Sequence, residues 1–137
     1  MPARFSVATD GPTSVHDVTD RVADALDDAL SDDGRPSDAD GVATVFVRHT
    51  TAGVVVNEPE ERLLGDFETF LDDLVPDEGW DHDRLDDNAD SHFRALLLGE
   101  SVTVPVRDGD LDLGRWQAVL LVECDGPRER TLDVVVH

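Results

Sequence analysis

Three segments hold most of the side chains able to do chemistry: Arg48 to Glu60, Asp87 to Gly99 and Leu113 to Arg130. They carry His49 and His92, the pair Asn57-Glu58, the pair Trp116-Gln117, and Arg128 with Arg130. His82 lies between the first two, in an Asp-rich stretch. Imidazole, carboxylate and guanidinium groups together suit a metal or a phosphate. The histidines at 49, 82 and 92 are too far apart in sequence to form a local metal motif.

Each candidate has two readings. His49 stands two residues after the apolar run Val42 to Val47, so it is either a ligand at a strand end or a hydrogen-bonded structural histidine. His92 falls at the margin of an apolar helical face, and His82 in an acidic loop. Three neutral imidazoles from separate elements could hold zinc or a similar metal and leave a position open. Asp86 could orient a ring from behind. Glu58 reads as a general base or as a helix-start carboxylate favoured by the dipole. Arg128 and Arg130, two residues apart beyond Gly126-Pro127, would point to the same side. They could grip phosphate bidentately or pair with the acidic surface.

These residues must be positioned by a small framework. The 137 residues fit one domain, residues 1–137, with room for a sizeable core. Aromatics are only 5%, so that core is aliphatic. Strands are expected at Phe5 to Ala8, Val42 to Val47, Val54 to Val56, Val102 to Val106, Trp116 to Val122 and Leu132 to Val136. Pro105 marks an edge strand, and Asp108-Gly109 a hairpin turn. A further strand is presumed around His16. Thr19 is the expected cap of a helix carrying Val22, Leu26, Ala29 and Leu30. Leu63, Phe67, Phe70, Leu71 and Leu74 describe a second, amphipathic helix. Ala89 to Leu98 is a third, stopped by Gly99. The segments Ser31 to Gly41 and Pro76 to Asp87 read as loops. The fold class is therefore α+β, a compact single domain with a largely antiparallel sheet and two to three helices.

Charge excludes some partners. Eleven basic residues against 32 acidic ones give −21, and every basic residue is Arg. Sequence-general binding to nucleic acid or to an anionic membrane is unfavourable, because both need clustered cations. Acids spread between apolar segments indicate a folded chain that benefits from salt screening, as in halophiles. The single Cys124 excludes an intrachain disulfide. With no signal-like start and no membrane-length apolar run, a soluble cytoplasmic protein is expected.

Taken in order, His49-Thr50-Thr51-Ala52, Asn57-Glu58, Asp66, His82, Asn88-Ala89-Asp90-Ser91-His92, Leu98-Gly99, Leu113-Gly114, Trp116-Gln117, Glu123, Gly126-Pro127-Arg128 and Arg130 make the chain recognisable. It resembles the YjbQ-like family, often labelled secondary thiamine-phosphate synthase, from about Phe5 to Val136. With the acidity, the resemblance points to a haloarchaeal member.

The resemblance implies a compact α+β homotrimer with a metal site at His49, His82 and His92. It places Glu123, Arg128 and Arg130 near that site. Arg115 departs from the family's usual Thr, and Cys124 stands where some members carry His. The implied activity is metal-dependent chemistry on a small phosphorylated substrate, coupling a hydroxymethylpyrimidine diphosphate to a thiazole phosphate. Glu58 and Glu123 are the candidate catalytic carboxylates. Thr50, Asn57, Arg128 and Arg130 are the candidate substrate contacts. The metal is divalent and zinc-like by its nitrogen ligands, although a diphosphate substrate could bring Mg²⁺. A metal-hydroxide hydrolase of a phosphoester and a non-catalytic trimeric ligand-binding module stay open as alternatives.

Overall fold

The computed structural model describes residues 3–137. Their elements are β1 (Ala3–Ala8), β2 (Ser14–Asp17), α1 (Thr19–Asp32), β3 (Gly41–Val47), β4 (Ala52–Asn57), α2 (Glu61–Leu74), a 3-10 turn (Asp81–Arg84), α3 (Ala89–Leu98), β5 (Ser101–Arg107), β6 (Asp110–Leu111), β7 (Ala118–Glu123) and β8 (Glu129–Val136). The expected α+β class holds. The strands form two sheets: one in the order β1-β8-β3-β5-β6, the other β2-β7-β4. All the strand pairs described are antiparallel.

Alternation explains the layering. Ala43, Val45 and Val47 of β3 and Leu132 and Val134 of β8 point to one face and are buried. On that face they meet α1 (Val22, Leu26, Leu30) and the inner side of the small sheet (Val54, Val119, Leu121). The continuous apolar run of β7 is buried on both sides, as such a run requires. Its other side, with Val122 and then Cys124, packs against Leu71 of α2. The core is aliphatic, as the composition demands.

Several boundaries differ from expectation for identifiable reasons. Thr19 is the first residue of α1 rather than its cap, which is Val18. Its hydroxyl donates to Asp17 Oδ1 (2.6 Å) and accepts from the Val119 amide (2.9 Å), tying the helix to β7. Trp116 lies outside β7, in a turn where the Gln117 side chain accepts the Gly114 amide. β8 begins at Glu129, so Arg130 is a strand residue. The hairpin at Asp108-Gly109 is as expected, with φ of 53° and 81° at its two positions.

One glycine is needed for a close approach. A Cβ on Gly53 would stand 2.7 Å from Leu98 Cβ and 2.9 Å from the Gly99 carbonyl. Its absence lets the end of α3 sit directly on β4, where the Val54 amide donates to Gly99 O. This contact positions the helix that carries His92.

Candidate functional site

A cavity of about 380 Å³ opens where β3 ends, β8 begins and α3 starts. Its wall includes Arg48, His49, Asn88, His92, Arg128 and Arg130. The topology accounts for this gathering. His49 follows β3, Arg128 precedes β8, and β8 lies beside β3 in antiparallel register. α3, resting on β4, supplies Asn88 and His92 from the other side.

Arg130 is the most constrained member, at 2% exposure. It forms an ion pair with fully buried Glu123, donating from Nε to Oε1 at 2.8 Å and from Nη2 to Oε2. Nη2 also donates to Thr51 O (3.0 Å) and Thr51 Oγ1 (2.9 Å). Glu123 further accepts from the Thr9 hydroxyl (2.6 Å) and the Asp125 amide (2.9 Å). Burial alone would raise the Glu123 carboxyl, but the bonds from Arg130, Thr9 and Asp125 outweigh it and hold it below its ordinary value. A carboxylate so enclosed and so stabilised as the anion acts as a positioning group, not as a base reaching substrate.

Arg128 is half-exposed and braced by Asp125, through the Asp125 carbonyl (2.7 Å) and carboxylate (2.8 Å). Asn88 donates to the same carboxylate at 2.8 Å. Arg48 is held by Asp133, which also binds Arg4 on the outer face of the large sheet.

His49 accepts the Thr131 amide at Nε2, 2.8 Å away. That bond determines the tautomer of the neutral ring: the proton is on Nδ1. Burial, reinforced by Arg130, Arg128 and Arg48 against the opposing pull of Glu123, keeps His49 below the usual imidazole value. In this placement His49 is an N–H donor, its lone pair spent on the backbone.

His92 lines the same cavity, and the His82 ring stands edge-on to it at 4.9 Å between centroids. His82 Nε2 lies 3.6 Å from Asp86 Oδ2. Among the described residues, His82 Nε2 and Asn88 Oδ1 are buried side-chain atoms without a hydrogen-bond partner. Also among the described residues, no three His, Cys, Asp or Glu side chains converge on one point as a metal cage. His82 and His92 stand ring to ring, and His49 shares the cavity wall with His92.

Thr50 lies on the cavity wall. Asn57 and Glu58 do not. They sit at the far end of β4, roughly 17 Å from Ala52 by strand rise, and line a separate cavity of about 330 Å³ with Trp116 and Gln117. Arg48, Thr51, Asn88 and Asp125 are wall residues for which residue type alone assigned no role. Arg48 adjoins His49 in sequence, which was the available signal; Asp125 is one of 32 acids and had none.

A two-sheet α+β domain with an arginine- and histidine-lined cavity between its sheet ends is the class that fold and site define. The family model described as UPF0047 protein YjbQ-like matches residues 3–137, and the chain belongs to that family. A UPF0047 protein of Methanothermobacter thermautotrophicus is 50% identical over 97 residues, 70% of this chain and 68% of its own. UPF0047 protein MJ1081 of Methanocaldococcus jannaschii is 31% identical over 137 residues, covering 99% and 94%. The crystal structure of APE1520 from Aeropyrum pernix K1 superposes with a TM-score of 0.89 at 40% identity, over 100% of this chain and 98% of that one.

Proposed function

We propose that this chain is an enzyme that binds the phosphate of a small phosphorylated molecule in the cavity between His49 and Arg128. The supporting observation is electrostatic. In a chain of net charge −21, three of the eleven arginines and an imidazole N–H share one cavity wall with two carboxylates, Asp86 and Asp125. Phosphate is repelled by most of this surface and attracted here. Guanidinium groups match its oxygens, and half-exposed Arg128, braced by Asp125, loses little freedom on binding it, while buried Arg130, its donors engaged with Glu123 and Thr51, stands behind the wall.

The first reaction we carry forward is the coupling implied by the family resemblance, with a diphosphate leaving group held by the arginines. His49 would donate its Nδ1 proton in a hydrogen bond to a phosphate oxygen, neutralising developing charge. The His, Cys, Asp and Glu side chains of the described residues do not fit a divalent metal as they stand, since no three of them converge on one point, and His49, its Nε2 lone pair held by the Thr131 amide, is not free to be a ligand. Hydrolysis of a phosphoester is the second reading, favoured by His92 standing on the cavity wall as a candidate base.

Calorimetric titration of inorganic phosphate and pyrophosphate in molar KCl tests the proposal. Both are expected to bind, and Arg128→Ala to weaken them roughly ten- to hundredfold, the worth of charge-assisted hydrogen bonds. Absence of binding by the wild-type protein refutes it.

A further inference from the structure

We propose that the chain carries a second ligand site, for a neutral pyranose, at the far end of β4. Asn57, Glu58, Trp116 and Gln117, together with Val56, surround a cavity of about 330 Å³ there. That volume suits a single sugar ring. The length of β4 separates it from the arginine cavity, so the two sites fill independently and stand or fall separately.

The polar groups of this cavity are fixed and still have bonds to make. The Glu58 amide donates to Asn57 Oδ1 at 2.8 Å, and the Gly114 amide to Gln117 Oε1 at 2.8 Å. A backbone amide only donates, so both side-chain oxygens are taken by the chain and both NH₂ groups are left to donate elsewhere. Gly114 makes room for this arrangement: a Cβ there would stand 3.0 Å from Gln117 Oε1. Among the described residues, neither NH₂ group, nor the Glu58 carboxylate, nor the Trp116 indole N–H is hydrogen-bonded within the chain. Trp80, the other tryptophan, differs: its Nε1 donates to the Pro76 carbonyl at 2.9 Å.

Trp116 is 64% exposed. The Arg115 guanidinium carbon lies 4.8 Å from the centroid of its ring and steadies the indole. An aromatic plate beside amide donors and a carboxylate is complementary to a pyranose. The C–H face of the sugar covers the indole. Its hydroxyls, each both donor and acceptor, accept from the amides and donate to Glu58. A purely apolar ligand would leave those polar groups dry and unpaired. An anion meets the Glu58 carboxylate in a chain of net charge −21.

Trp80→Phe leaves Trp116 as the sole tryptophan, so its emission reports on this site alone. Methyl glucoside, methyl mannoside and methyl galactoside are titrated into that variant in molar KCl, with uracil and inorganic phosphate as comparisons. At least one glycoside is expected to shift the Trp116 emission with millimolar affinity, the range for a few hydrogen bonds and one stacked face. By calorimetry, Trp116→Ala should weaken that glycoside about tenfold, the worth of roughly 60 Å² of apolar contact. Glu58→Ala, which removes no hydrogen bond made by that side chain within the chain, should weaken it about fivefold, the worth of one hydrogen bond. Absence of a response to all three glycosides overturns the site. Glycoside binding that survives both Trp116→Ala and Glu58→Ala unchanged overturns it as well. A tighter response to uracil or to phosphate than to any glycoside overturns the assignment to sugar.

Discussion

Arg130→Met should destabilise the protein by about 3–5 kcal/mol, the cost of leaving a buried charge without its partner. The structure explains why the loss falls at the upper end of ordinary substitutions. Glu123 is fully buried, and Arg130 supplies both of its charge-assisted bonds. The Thr9 hydroxyl and Asp125 amide remain but carry no charge. Thr51 also loses the donor that binds its carbonyl and its hydroxyl. For 137 residues the unfolding entropy is about 0.29 kcal/mol/K. A loss of ~4 kcal/mol then lowers Tm by roughly 14 K.

Glu123→Leu should cost a similar amount by stranding Arg130. The double variant should recover much of either loss, because an apolar pair needs no desolvation. Chemical denaturation of the four proteins, in molar KCl at pH 7, gives the coupling energy directly. A single-variant loss below about 1 kcal/mol, or additive losses in the double variant, would show that the pair does not hold this junction. Acid should act on the same pair. Glu123 has a folded-state value below its ordinary 4.5. Its contribution is complete above that value and is lost as pH falls through the lower, folded one.

Thermal unfolding should rise steadily from low to molar KCl, since acids exceed bases by 21 and the Debye length shrinks to about 3 Å at 1 M; a flat midpoint would contradict the charge argument. Burial first, and the Glu123 carboxylate next, push the Cys124 thiol up to about 12. Iodoacetamide at pH 8 should therefore leave it unmodified until the chain unfolds, and rapid labelling of the native protein would show the site to be open. Light scattering in molar KCl should give a trimer, held by apolar surface such as Val42, Phe46 and Val135 on the outer face of the large sheet. Phe46→Asp should lower that mass, and a wild-type monomer rules the assembly out.

The sequence by itself determined the elements. Hydrophobic period, turn chemistry and Gly99 placed β3, α3 and the Asp108-Gly109 hairpin close to where they fall, because those signals are local. It also determined an aliphatic core and a surface hostile to phosphate. The ordered appearance of the His, Asn-Glu, Trp-Gln and Arg segments was enough to mark the family. Tertiary structure alone decided which of those segments meet. Arg48, His49, Arg128 and Arg130 share a cavity because β3 and β8 are hydrogen-bonded neighbours, a pairing more than 80 residues apart in sequence that no local pattern encodes. Asn57 and Glu58 are separated from His49 by the length of β4, although only seven or eight residues of sequence lie between them. Glu123 shows the difference most clearly: its residue type allows a base, but its burial beside Arg130 and Thr9 makes it an anchor. A side chain's role depends on its solvation and its partners, and both are properties of the folded chain.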